Sequence, residues 1–121
     1  MEKNNYPTRV KVKEYFLLSE LLNSIYLEMK EFSKKKPNDL LNEFKVKNIN
    51  RVLSQIKSLL ISEPTSQFLD VLDNAILPSN SDAILVIGQF KASMNRFYEK
   101  NTSVLKWKTQ EQPNGEYINE Y

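Results

Sequence analysis

Between Pro7 and Pro37, six apolar residues (Tyr15, Leu18, Leu22, Ile25, Met29 and Phe32) recur at alternating intervals of three and four. At 3.6 residues per turn that rhythm gathers all six on one side of an α-helix, and a helix with such a stripe needs other helices or a sheet to bury it. The spacing predicts a helix from Arg9 to about Lys35, with Leu17 and Leu21 widening the buried face. Thr8 is the expected N-cap. Glu14 lies too far along to close a capping box with it, and the β-branched Val10 and Val12 argue for a late first turn.

The remaining prolines, Pro64, Pro78 and Pro113, divide the rest of the chain into further stretches of helical length. The second, PNDLLNEFKVKNINRVLSQIKSLLISEP, is expected to start from Asn38 or Asp39 and to bury Leu41, Phe44, Ile49, Val52, Leu53, Ile56, Leu59 and Leu60. These positions drift off a single stripe, so a break near Lys47 with Asn48 as a second cap is expected. The third, TSQFLDVLDNAIL, reads as a short helix capped by Thr65 or Ser66, with Phe68, Leu69, Leu72, Ala75 and Ile76 inward. In the fourth, Ser81 is the expected cap, and Ala83, Ile87, Phe90, Met94 and Phe97 repeat the four-three-four-three spacing. Gly88 stands alone in this pattern and is read as permitting a close helix approach beside Ile87.

With 121 residues, 40% hydrophobic and 26% charged, the chain has the size of one domain able to bury a core unaided. The expected architecture is therefore an all-α, single-domain bundle of four to five helices with an irregular or hairpin-like C-terminal tail. Residues 1–8 are taken as a flexible N-terminus, 9–103 as the bundle and 104–121 as the tail. Pro113, Asn114 and Gly115 signal a turn within that tail, between VLKWKT and EYINEY, which alternate in part. The tail also carries Trp107, Tyr117 and Tyr121, residue types that anchor interfaces, and these three are the candidate partner-binding residues.

Charge is segmental although the total is only +2. Residues 30–57 hold eight basic residues against three acidic, residues 58–82 hold four acidic and no basic, and residues 91–108 hold five basic against one acidic. Lys34, Lys35, Lys36, Lys45, Lys47, Arg51, Lys57, Lys91, Arg96 and Lys100 are accordingly the candidate nucleic-acid-binding residues, with Tyr98 or Trp107 available to stack on bases. The stretch LLNEFKVKNINRVLSQI resembles the outline of a helix-turn-helix, but its turn lacks glycine. Arg51 also takes a position such motifs fill with an apolar residue, so a DNA-reading role is not assigned to it.

The chain contains no His and no Cys. The commonest general base, the commonest zinc ligands and the Ser-His and Cys-His pairs are thereby excluded. Glu28 and Glu31 share one helical turn, yet without His the Glu-x-x-His pattern of bundle di-iron sites cannot form. No cofactor, metal or small-molecule substrate is expected, and no glycine-rich loop is available for phosphates. The N-terminus lacks the apolar core of a signal peptide, and no apolar run reaches bilayer length, so a cytoplasmic, non-membrane protein is expected. The sequence thus predicts a non-catalytic protein acting through protein–protein interaction, as subunit, adaptor or inhibitor, whose partner is another protein or a second copy. Its alternative is a nucleic-acid-binding accessory subunit using segments 34–57 and 91–108.

Overall fold

The structure, a computed structural model, describes residues 7–102 and residue 105. Three α-helices follow one another: α1 (Arg9–Lys35), α2 (Glu43–Leu59) and α3 (Asn80–Lys100), with a short 3-10 turn at Pro64–Phe68 between the last two. The described residues contain no strand, only a single bridge between Leu40 and Ser79. The all-α class is therefore correct, but the α-helices among the described residues number three rather than four to five. No helix among the described residues is long and apolar enough to cross a membrane.

Each helix starts at a side-chain cap. The Thr8 hydroxyl accepts from the Lys11 amide at 3.2 Å, and α1 begins at once at Arg9, so the β-branched Val10 and Val12 do not delay it. Neither Asn38 nor Asp39 starts α2; Asn42 does, accepting from the Lys45 amide at 2.8 Å. From there α2 runs unbroken through Lys47 and Asn48, which removes both the expected break and the outlined helix-turn-helix. For α3 the cap is Ser79, not Ser81, and it accepts from the Asp82 amide at 3.1 Å. Such caps satisfy amide donors that no helical carbonyl can reach.

The helices run up, down and down again. The ring of Tyr15 lies against Phe97 and Tyr98, and the Lys91 ammonium reaches Asn23, so α1 and α3 are antiparallel. Lys45 sits over the ring of Phe32, and Asn48 and Ile49 line a cleft with Ile25 and Glu28, so α2 is antiparallel to α1 as well. α1 is the central element and packs on both neighbours, while α2 and α3 barely touch. Their shared seam is filled by the connector, residues 60–79. At one end two loops are stitched together: Leu41 donates to Pro78 at 2.9 Å, Asn80 donates to Asp39 at 2.8 Å, and the Asn80 side chain donates to the Lys36 carbonyl at 2.8 Å.

The core contains Leu18, Leu22, Ile56, Ile87, Phe90, Met94 and Phe97, all expected there, with Ile25 partly buried beside them. Leu105 is fully buried with them, although it belongs to the segment assigned to the tail. Pro7, assigned to a flexible N-terminus, is buried too. Two expectations fail on α1 and α2, where Leu17, Leu21 and Phe44 point to solvent instead of inward.

The third expected helix is absent. Its residues form the 3-10 turn and an extended strap in which only Leu69 and Leu72 are buried, while Phe68, Ala75 and Ile76 are exposed. Asn50 brackets the strap, its side chain donating to the Leu72 carbonyl and accepting from the Leu72 amide, both at 2.8 Å. Leu72 thus lies beside the middle of α2, and Pro78 lies beside Leu41 just before its start. Climbing from Asn50 to Asn42 is a rise of roughly 12 Å along α2, and the six residues from Leu72 to Pro78 would supply only about 9 Å as helix but about 20 Å extended. A largely extended path, bent where the Asp73 carboxylate accepts from the Ala75 and Ile76 amides at 2.7 and 3.2 Å, closes the fold, and Asn50 supplies partners for the backbone of Leu72.

Candidate interaction surface on the first two helices

Two apolar stripes run along α1, and only one of them is used by the fold. The buried stripe holds Tyr15, Leu18, Leu22 and Met29. Val10, Leu17 and Leu21, spaced by seven and four, form a second stripe roughly 100° around the helix. They are 73%, 57% and 43% exposed. Reading both stripes as a single broad face is what misassigned Leu17 and Leu21. The usable signal was that Glu14 and Glu28 share the second stripe, since an apolar row with carboxylates in it is poorly suited to a core.

Toward its C-terminal half this second stripe opens into a cleft of about 270 Å³ between α1 and α2. Ile25, Met29, Phe32 and Ile49 form its floor, and Phe44, 74% exposed, stands at its edge. The Lys45 ammonium lies 4.3 Å from the centroid of the Phe32 ring and so adds a cation–π contact to one wall. Glu28 and Asn48 complete the rim. Asn48 is turned back on its own helix, donating to the Phe44 carbonyl at 2.8 Å, which fixes the turn that carries Phe44. A concave apolar floor with an exposed aromatic at its edge suits an apolar side chain or helix from another protein.

The basic residues do not share one face. Lys35, Lys36 and Lys45 line a second cleft of about 370 Å³ at the stitched end of the bundle, together with Asp39, Leu40, Phe32 and Asn80. Lys34 is exposed and forms a 3.8 Å ion pair with Glu31. Lys47 and Arg51 are exposed on α2, and Lys57 is half-buried. Lys91 lies against α1, within 3.4 Å of Asn23 and 5.0 Å from the centre of the Tyr26 ring. Lys100, nine residues on and so on the opposite side of α3, pairs with Glu63 of the connector at 3.3 Å, and Arg96 is exposed. Tyr98 is stacked on Tyr15 at a centroid distance of 6.2 Å. Trp107, Tyr117 and Tyr121 lie outside the described residues. No group of three or more acidic side chains gathers in metal-binding geometry among the described residues.

Comparison of the chain with protein-family models, with curated proteins and with solved structures returns no match.

Proposed function

We propose that the chain is a non-catalytic, cytoplasmic protein that works by binding another protein through the face shared by α1 and α2. The observation carrying this reading is the row of exposed apolar side chains Val10, Leu17 and Leu21, together with the apolar cleft beside exposed Phe44, which the fold leaves open. A chain without His or Cys has few routes to general-base or nucleophilic catalysis, and a binding role uses the residues it does expose. Replacing Phe44 by Glu tests the reading, because Phe44 contributes contact area outside the core. Affinity capture from the native host with wild type and with Phe44→Glu should recover a partner on the first that is lost on the second, while the two proteins melt alike. Equal recovery on both would remove the cleft from the interaction.

A second reading is favoured by the convergence of Lys35, Lys36 and Lys45 around one cleft. Three ammonium groups in that position suit a phosphate backbone, with Asp39 partly offsetting them. Binding of this kind would weaken steeply with salt, whereas seating an apolar side chain beside Phe44 would not.

A further inference from the structure

Resting on the protein-binding reading above, we infer that the partner on the α1–α2 face is a second copy of this chain, its α1 lying antiparallel across the first. The argument is the distribution of charge along the exposed stripe. Lys13 and Glu14 lie toward its beginning, beside Val10, and Glu28 lies at its far end. On α2, Arg51 stands level with about Ile25, since Lys45 is level with Phe32 and the two helices run in opposite directions. None of Lys13, Glu14, Glu28 and Arg51 forms an ion pair among the described residues.

A two-fold axis placed between Leu17 and Leu21 sets Leu17 of one copy on Leu21 of the other, and the reverse. The same operation brings Val10 to the level of Glu28 of the second copy, at the mouth of the cleft, and brings Lys13 within one helical turn of that Glu28. It also carries Arg51 to the level of Glu14 of the second copy. Glu28 then meets Lys13, and Glu14 meets Arg51 of α2, and each contact occurs twice, as a two-fold interface requires. Parallel pairing of the same stripe would set Glu14 on Glu14, Glu28 on Glu28 and Lys13 on Lys13. The order of charges along the helix therefore suits a second copy and favours the antiparallel over the parallel arrangement. With three exposed apolar side chains and the edge of one cleft per copy, the contact falls at the small end of specific interfaces, so the dimer is weak and concentration-dependent.

Sedimentation velocity of the full chain, over a wide concentration range, tests the inference. Wild type should move from monomer to dimer as concentration rises. The double change Leu17→Glu, Leu21→Glu should abolish the dimer, and because both residues are exposed its thermal melt should match that of wild type. Lys13→Glu should weaken association by roughly three- to tenfold, as Glu28→Lys should, since each turns two exposed attractive pairs repulsive. Combining them should restore the wild-type constant, a recovery that a mere loss of folding cannot produce. A wild type that stays monomeric throughout, a dimer undiminished by the leucine changes, or a double charge variant no better than the single ones would overturn the pairing. A monomeric wild type that still loses a host protein on Phe44→Glu would overturn this inference alone and leave the broader reading in place.

Discussion

At the scale of single residues the protein turns on where side chains of similar character are sent. Leu18 and Leu22 are buried while Leu17 and Leu21 are exposed, one residue away in each case, because a step of one moves about 100° around the helix. Gly88 shows the same dependence on surroundings. Its position beside Ile87 suggested a close helix approach, but a Cβ built there meets nothing within 4 Å, so no neighbouring element requires glycine. Gly88→Ala should therefore stabilise the protein by about 0.5–1 kcal/mol, by removing backbone freedom from the unfolded chain in the middle of α3. A urea midpoint for Gly88→Ala at or below that of wild type would contradict this assignment.

At the scale of elements, helices α1 and α3 follow directly from their apolar spacing, and Thr8 from its position before the first stripe. The caps Asn42 and Ser79 were missed because several Asn, Asp and Ser residues stand near each start. What separated them is the stitching of the loop at Pro37–Leu41 to the loop at Pro78–Ser81, a contact between distant parts of the chain. The connector was misread as helix for a related reason. Its apolar residues have helical spacing, but the seam it must fill and the distance it must climb favour an extended strap held by Asn50. Asn50→Ala would leave the Leu72 amide and carbonyl without these partners, at a cost of about 1–3 kcal/mol. Amide exchange at Leu72 should accelerate together with the loss of stability. Asn48→Ala removes a bond that only folds back onto Phe44 of the same exposed turn, so it should cost much less, and equal losses in the two variants would refute the bracket.

At the scale of the whole molecule, α1 is the shared wall of the core, and Tyr15 marks where it meets α3. Its ring makes an edge contact with Phe16 at 5.0 Å and lies 5.5 Å from Phe97. Burial is the main influence raising the pKa of the Tyr15 phenol; Tyr98 adds to it and a hydrogen bond with Ser19 opposes it. The folded protein therefore holds this proton more tightly than the unfolded chain. The resulting stability is fully present below the unfolded phenol value of about 10 and is lost as pH rises through the higher folded value. Denaturant midpoints followed from neutral to alkaline pH should fall more steeply for wild type than for Tyr15→Phe, and parallel curves would deny Tyr15 this role. The sequence by itself determined the helical class, the central stripe on α1, most of the core and the absence of His- and Cys-based chemistry, because these depend only on residue type and on the period of the helix. Tertiary structure alone decided that the described residues form three helices and a strap. It also decided that Phe44, Leu17 and Leu21 form an open surface, and that the basic residues divide between separate faces. Those outcomes depend on which side of each helix finds a neighbour, and periodicity can show that a side is apolar without showing whether another element is there to cover it.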